Sequence, residues 1–163
     1  MNEAQPSLYA LTSPQREIWF DQILHEGIPL YNIGGYVKIP GAINSVLFEQ
    51  AVNLLVQKHD TLRTMLTEVQ DEDGVPMQTY AEKLAVTVPL RDFSTKADPH
   101  ESAMAWMQQR FIETFELTGQ ALFRYDLVKI SDDNYYWLIQ YHHLIVDGYA
   151  VALLNRWQIS IRN

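Results

Sequence analysis

The stretch that decides the fold of this chain is Tyr135–Gly148, which reads YYWLIQYHHLIVDG. Its first part, Tyr135–Gln140, is rich in aromatic and β-branched residues and is typical of a buried β-strand. Two histidines, His142 and His143, follow where that strand should end, and Gly148 allows a sharp turn because glycine adopts positive φ angles. A histidine at a strand end, with a carboxylate a few residues later, is an arrangement suited to handling protons.

The two histidines also fit simpler roles. A single histidine in an apolar setting is more often a structural residue than a catalyst, and adjacent histidines on a strand point to opposite faces. They are therefore poorly placed to share a metal ion. His25, His59 and His100 lack the spacing of zinc ligands, and the chain has no cysteine. We predict no metal site, and the order His-His-x-x-x-Asp-Gly favours a catalytic role.

Four segments together resemble a known family. His142–Gly148 resembles the HHxxxDG motif of the condensation domains of nonribosomal peptide synthetases, which belong to the chloramphenicol-acetyltransferase-like acyltransferases. Leu11–Phe20 (LTSPQREIWF) is similar to the opening motif of that family, and Lys58–Leu66 (KHDTLRTML) resembles its RHExLRTxF motif. Phe115–Arg124 more weakly resembles the segment before the strand that leads to the histidines. The matches occur in the family's order and cover most of the chain.

Apolar periodicity and turn residues predict the secondary structure. The approximate predicted ranges are helices at 13–24, 44–58, 100–114 and 149–157, and strands at 31–39, 62–69, 75–80, 84–90, 121–130 and 134–141. The residues predicted to face inward are Ile18, Trp19, Ile23 and Leu24 in the first helix, and Val46, Leu47, Ala51, Leu54 and Leu55 in the second. The acidic segment Asp71–Gly74 is predicted to be a solvated hairpin loop, because it lacks the longer calcium-loop pattern.

Interspersed helices and frequent strand pairs predict an α/β sandwich with a mixed sheet and packed helices. The resemblance implies the same architecture, a chloramphenicol-acetyltransferase-like lobe whose sheet is mostly antiparallel. Residues 1–10 are predicted to be a short lead, and residues 11–163 the N-terminal lobe of a condensation domain. A complete domain has two such lobes with a substrate tunnel between them, so we expect the C-terminal lobe to be absent from this chain.

The resemblance also implies an activity and a set of site residues. The expected enzyme is an acyltransferase of a full-length synthetase, which forms an amide bond between a donor acyl or peptidyl thioester and an acceptor aminoacyl thioester. The resemblance assigns the chemistry to His143, either as a general base or as an orienting group. It implies that His142 is a packing residue, that Gly148 lets the loop approach the channel, and that Asp147 forms a buried ion pair with Arg63.

Composition excludes several classes of function. The chain has 163 residues, 47% hydrophobic and 20% charged, as expected for one globular domain with a core. Its net charge of −8 argues against binding to nucleic acid or to an anionic membrane surface. No apolar run is long enough to span a bilayer, and the first residues do not resemble a signal peptide. With no cysteine, a cytoplasmic location is expected.

The resemblance further implies the partners. Peptidyl carrier proteins would present both substrates on phosphopantetheine arms, and no cofactor is expected to bind the chain directly. Because the opening motif follows so soon after Met1, we expect the donor to be supplied in trans. The lobe alone is expected to be inactive, and to self-associate through the face around His142–Trp157 that would meet the second lobe.

Two alternatives remain open at this point. The first is a single-lobe, trimeric, acyl-CoA-dependent enzyme of the acetyltransferase type, with a site completed between subunits. The second is a fragment without catalytic activity that only binds a carrier protein or another lobe. A discrete trimer in light scattering would favour the first alternative, and a monomer or an ill-defined dimer would favour an isolated lobe.

Overall fold

The computed structural model describes residues 7–148 and residue 150. The elements of this range are, in order, α1 (Ser13–Leu24), β1 (Asn32–Pro40), α2 (Ser45–Lys58), a 3₁₀ helix (Asp60–Arg63), β2 (Thr64–Gln70), β3 (Pro76–Tyr80), β4 (Leu90–Asp92), α3 (Pro99–Phe111), β5 (Phe123–Ser131) and β6 (Asn134–His142). In this part of the chain, no helix has the length and apolar character needed to cross a bilayer.

Among the described residues the main sheet has four strands in the order β1-β6-β5-β4. β6 pairs antiparallel with both β1 and β5, whereas β4 pairs with β5 in parallel. β2 and β3 form a separate antiparallel hairpin, to which Tyr9 of the N-terminal lead adds a single bridge at Gln78. The predicted α/β architecture, with a mixed and mostly antiparallel sheet and packed helices, is confirmed.

The strand that leads to the two histidines lies in the middle of the core. Nearly all of β6 is buried, because helices cover both faces of the sheet. On one face Trp137 packs edge-on against Phe48 of α2, with 5.1 Å between ring centroids. On the other face Leu138 joins Met107 of α3 in a second apolar cluster. A strand covered on both sides has no polar face, which explains its continuous apolar and aromatic sequence.

Each of the helices α1, α2 and α3 begins after a side chain that caps its free backbone N–H groups. Thr12 and Gln15 form a reciprocal capping box at the start of α1. Asn44 Oδ1 accepts from the N–H groups of the second and third residues of α2, at 3.0 and 3.1 Å. Asp98 caps α3 in the same way, at 2.9 Å. These local signals explain why the predicted starts are accurate.

The acidic loop Asp71–Gly74 is a hairpin turn, as predicted. Oδ1 of Asp71 accepts from the backbone N–H groups of Asp73 and Val75, at 3.0 and 2.9 Å. Its Oδ2 binds the guanidinium of Arg16 at 2.6 Å. The bond from Val75, followed by the one from Arg16, lowers the pKa of the Asp71 carboxyl. The loop is therefore an ordered turn that is tied to α1.

The prediction of a strand at residues 84–90 is wrong for residues 84–89, which form no strand. The short β4 begins only at Leu90. Here polar side chains of α2 take the place of a partner strand. Val86 N donates to Asn53 Oδ1 at 2.8 Å, and Val88 N donates to Glu49 Oε2 at 2.8 Å. Backbone groups satisfied in this way need no neighbouring strand.

The predicted inward faces of two helices also need correction. Three residues predicted to face inward on α2 are exposed: Val46, Leu47 and Leu54. The buried residues of that helix are Phe48, Val52, Leu55 and Val56. On α1, Ile18 and Trp19 pack against the core as predicted, but Ile23 and Leu24 are exposed and Gln22 is buried. Apolar residues surround most of α2, so their spacing alone does not select the stripe that meets the sheet.

Candidate active site

The two histidines lie where β6 leaves the sheet. The backbone N–H of His142 donates to Leu122 O at 2.8 Å, and that of His143 donates to Tyr31 O at 2.9 Å. Tyr31 immediately precedes β1, and its ring lies near both imidazoles, with centroids 6.0 Å from His142 and 6.4 Å from His143. The start of the motif is thus fixed from both sides by the ends of neighbouring segments.

His142 is buried and held as a neutral ring. Its Nδ1 accepts from the backbone N–H of Leu144 at 3.2 Å, so the ring proton lies on Nε2, which is 3.4 Å from Gln22 Oε1. Burial and the neighbouring His143 lower the pKa of His142 to about 4. This geometry fits the packing and hydrogen-bonding role predicted for His142, and does not suit proton transfer near neutral pH.

His143 is half-buried and carries its proton on the other nitrogen. Its Nδ1 lies 2.7 Å from Val146 O. Because a carbonyl oxygen can only accept, Nδ1 must be the donor, and Nε2 of the neutral ring keeps its lone pair. A neutral imidazole with a free Nε2 can accept a proton or a hydrogen bond from a substrate.

His143 lines an open cavity of about 390 Å³. The first turn of α1 forms one side of the cavity, and Thr61 of the 3₁₀ helix forms another. The cavity is lined by Thr12, Pro14, Gln15, Ile18, Thr61, His143, Leu144, Ile145, Val146, Asp147 and Ala150. The second half of the motif is therefore part of the cavity wall, beside the histidine.

Arg63 and Asp147 do not form the predicted ion pair, which is therefore wrong for this structure. Arg63 binds Asp60 of the same 3₁₀ turn, and its Nη1 donates to Ala81 O at 2.5 Å. Asp147 is exposed, and its Oδ1 accepts from the backbone N–H of Ala150 at 2.7 Å. Residues three apart lie on the same side of a 3₁₀ helix, so Asp60 is the nearer partner. Asp147 instead serves as a helix cap.

Gly148 does not use the positive φ angle that its sequence position suggested. The positive-φ glycines of the described range are Gly27, Gly34, Gly41, Gly74 and Gly119. Gly148 is helical and exposed, and a Cβ placed there would meet no atom within 4 Å. Its approach to a substrate channel stays a prediction. Ala150 is also helical, and the rest of the helix predicted at 149–157 lies outside the described residues.

Comparisons with known proteins identify the family of this chain. The family model described as Condensation domain matches residues 5–159. The chain belongs to the condensation domain family. The resemblance found in the sequence is therefore confirmed, and neither alternative, the trimeric acetyltransferase-like enzyme or the non-catalytic fragment, is favoured.

Curated relatives of this condensation domain chain are large synthetases. The isonitrile lipopeptide synthase of Streptomyces coeruleorubidus is 31% identical over 156 residues, which are 96% of this chain and 10% of that protein. The dimodular nonribosomal peptide synthase of Bacillus subtilis is 30% identical over 154 residues, which are 94% of this chain and 6% of that protein. The chain thus spans a tenth or less of these relatives.

The solved structures that resemble this chain are also condensation domains. The starter condensation domain of rhizomide synthetase is 34% identical with a TM-score of 0.84, over 93% of this chain and 36% of that one. The first condensation domain of the calcium-dependent antibiotic synthetase is 25% identical with a TM-score of 0.80, over 91% of this chain and 35% of that one. The chain therefore spans about a third of these solved condensation domains.

A second cavity of about 520 Å³ lies beside His142 in this condensation domain chain. Gln22 of α1 and Phe115 both line it and both contact His142, Phe115 with 6.0 Å between ring centroids. α1 contributes a wall to this cavity and to the one at His143. The helix that carries the opening motif thus borders the surroundings of both histidines.

Sequence analysis missed several residues that contact the motif. Gln15 and Thr61 lie within the two other motif segments, and their place there was the available signal. Gln22 interrupts the apolar pattern of α1, and such an interruption is the signal for a polar residue that has a buried partner. Tyr31 had no signal beyond its place before a predicted strand.

Within the described range, no group of three or more His, Cys, Asp or Glu side chains could hold a metal ion.

Proposed function

We propose that this chain supplies the histidine-bearing wall of an active site that joins a donor acyl or peptidyl thioester to the amine of an aminoacyl thioester. Both substrates would be held on phosphopantetheine arms of peptidyl carrier proteins within a synthetase. A related dimodular nonribosomal peptide synthase supports this, as does a solved starter condensation domain in complex with C8-CoA and Leu-SNAC. The observation that carries the proposal is the bond from His143 Nδ1 to Val146 O, which leaves Nε2 free to accept.

The reaction requires the protein to orient the two substrates and to assist the transfer of one proton. The acceptor nitrogen attacks the thioester carbonyl carbon, a C–N bond forms, and the C–S bond breaks with its electron pair on sulfur. The proton lost by the amine passes to Nε2 of His143, or is oriented by it, and ends on the leaving thiolate. Holding the two reactants together contributes roughly 7–11 kcal/mol to lowering the barrier.

We assign residues 11–163 to the N-terminal lobe, after a lead over residues 1–10. The match to about a third, 36%, of a solved condensation domain supports this assignment. The cavity at His143 is lined by α1, the 3₁₀ helix and residues 143–147 of the motif, so a second lobe would have to provide the opposite wall. Delivery of the donor in trans stays a prediction.

The proposal is tested by His143→Ala in the condensation domain that contains this chain. We expect condensation between loaded donor and acceptor carriers to slow by about 10²-fold or more, since a proton-transferring side chain typically contributes that much. Single-turnover assays measure the bond-forming step without interference from product release. A pH–rate profile of the wild type and the variant then reports the ionisable groups on which the rate depends.

His100→Ala is the matched control. His100 lies on α3, where its Nδ1 is 2.9 Å from the hydroxyl of Tyr136, far along the sheet from the motif. Its removal should leave the condensation rate unchanged. Melting curves for both variants check that the domain remains folded. Near-wild-type rates for His143→Ala with every acceptor tested would remove His143 from the mechanism.

A further inference from the structure

We infer that Gln15 and Thr61 are positioning residues, which fix the tautomer of His143 by clamping the backbone that its Nδ1 binds. The catalytic effect of that tautomer rests on the proposed function, whereas the position of the ring proton does not. It concerns the segment Leu144–Val146, called here the motif loop.

Three consecutive carbonyls of the motif loop are each bound by a different side chain. Leu144 O accepts from Gln15 Nε2 at 3.0 Å, and Ile145 O accepts from the hydroxyl of Thr61. Val146 O accepts from His143 Nδ1 at 2.7 Å. The loop is neither helix nor strand, so regular secondary structure does not supply these donors. Its carbonyls therefore depend on side chains from α1 and from the 3₁₀ helix.

The loop has apolar anchors as well as polar ones. Leu144, Ile145 and Val146 are 3%, 8% and 3% exposed and belong to the main core cluster. Backbone carbonyls this close to the core lose free energy when they have no donor. Gln15 and Thr61 thus satisfy groups that the burial of the loop would otherwise leave unpaired.

Gln15 is itself held in one orientation. Its Oε1 accepts from Thr12 N at 3.0 Å and from Gln78 Nε2 at 3.1 Å, so its Nε2 is directed to Leu144 O. Gln78 is 5% exposed, and its Nε2 also donates to Ala10 O at 3.1 Å. This amide network connects α1, β3 and the motif loop, and it prevents the amide of Gln15 from turning over.

The clamp matters because the proton of His143 stays on Nδ1 only while Val146 O is within reach. If the preceding carbonyls lose their donors, the motif loop can shift and Val146 O no longer defines the tautomer. Molecules with the proton on Nε2 have no lone pair there to accept from an amine. The expected consequence is a lower rate of bond formation with little change in KM, since the substrate-binding surface is retained.

Two variants remove one donor each with little change of shape: Thr61→Val and Gln15→Met. The direct measurement is the ¹⁵N chemical shift of both ring nitrogens of His143 in labelled protein, with the signals assigned by comparison with His143→Gln. In the wild-type protein Nδ1 should be protonated and Nε2 unprotonated. In each variant a substantial population with protonated Nε2 should appear. Single-turnover condensation should fall by roughly 10-fold to 100-fold, the range expected for a misplaced catalytic group.

Three comparisons separate this clamp from a general loss of structure. Thr61→Ser keeps the hydroxyl and should restore both the wild-type tautomer and the rate. Thr67→Val removes a hydroxyl that donates to Met77 O at 3.1 Å in the β2–β3 hairpin, and it should leave the tautomer unchanged. Adding Thr61→Val to His143→Ala should cause no further loss of rate, because both act through the same group.

The two proposals fail in different ways. If the ¹⁵N shifts of the wild-type protein show the proton of His143 on Nε2, the proposed clamp is wrong, whether or not any variant folds. An unchanged tautomer in folded Thr61→Val and Gln15→Met proteins overturns it as well. Normal condensation by His143→Ala would overturn the proposed function, while leaving the tautomer measurement to decide the clamp alone.

Discussion

At the scale of single residues, two neighbouring histidines hold their protons on different nitrogens. His142 uses Nδ1 to accept from Leu144 N, whereas His143 uses Nδ1 to donate to Val146 O. The difference arises because the first ring points into the core and the second lies beyond the end of the strand. One histidine is thus held neutral by burial, and the other presents a free Nε2 to a cavity.

The lowered pKa of His142 predicts a dependence of stability on pH. The folded value of about 4 lies below the ordinary 6.5, so the unfolded chain binds more protons between these two values. Stability contributed by the neutral ring is therefore present above pH 6.5 and is lost as the pH falls toward 4. Between pH 7 and pH 5 the free energy of unfolding should fall by roughly 2 kcal/mol from this residue. Urea unfolding at a series of pH values measures the change.

His142→Asn is the matched variant for this experiment. Its Oδ1 can replace Nδ1 as acceptor for Leu144 N, but it does not titrate. Burial also lowers the pKa of His59, and this contribution is the same in both proteins and cancels in the difference. Equal pH dependence in the wild type and the variant would show that His142 titrates normally in the folded state.

At the scale of elements, one carboxylate joins a helix and two strands. Asp126 of β5 is 0% exposed, and its two oxygens accept from Nε of Arg91 in β4 at 3.4 Å and Nε of Arg110 in α3 at 3.2 Å. A buried carboxylate without a partner is very costly. Asp126 interrupts a strand that is otherwise mostly apolar, but the sequence pattern does not identify Arg91 and Arg110 as its partners.

Asp126→Asn should lower the free energy of unfolding by about 3 kcal/mol, the lower end of the range for a broken buried ion pair. The lower end applies because both guanidinium groups retain some access to solvent, which screens the charges left behind. Asp132→Asn is the control, since its carboxylate binds Lys129 but is 96% exposed. Its effect should stay below about 1 kcal/mol. Urea or thermal unfolding compares the two, and equal losses would contradict a structural role for Asp126.

At the scale of the whole molecule, the large apolar side chains in the described part of the predicted association face are buried, whereas Asp147 and Gly148 are exposed. His142, Leu144, Ile145 and Val146 are buried in the protein's own core. Tyr149 and residues 151–157 lie outside the described residues. The motif loop inserts its apolar side chains into the core cluster under α1 and does not present them outward. Self-association of the chain stays a prediction.

We predict that the 163-residue chain alone does not condense loaded donor and acceptor above the uncatalysed background. Its cavity at His143 is open, so the two thioesters would not be held in register, and most of the advantage of orientation would be lost. Product assays with purified chain test this, and light scattering over a range of concentrations tests self-association. Robust turnover would show that one wall is sufficient, and a constant monomer mass would argue against self-association.

The sequence by itself determined the features that are encoded within a few residues. Thr12, Asn44 and Asp98 mark the helix starts because each cap binds N–H groups two or three residues later. The β5–β6 hairpin follows from two apolar runs around a polar turn, and the ordered motif segments identified the family. These interactions are local, so neighbouring residues are enough to specify them.

Only the tertiary structure decided the features that depend on distant partners. The packing determines which residues of α2 are buried. It pairs Arg63 with Asp60 and not with Asp147. It also places side chains of α2 where they accept from backbone N–H groups of residues 84–88. It also set the proton of His143, through Val146 O and the clamp from Gln15 and Thr61. The physical reason is that a hydrogen bond or an ion pair is fixed by geometry in space. Residues as far apart as Gln15 and Leu144 meet only once the sheet and its helices have packed.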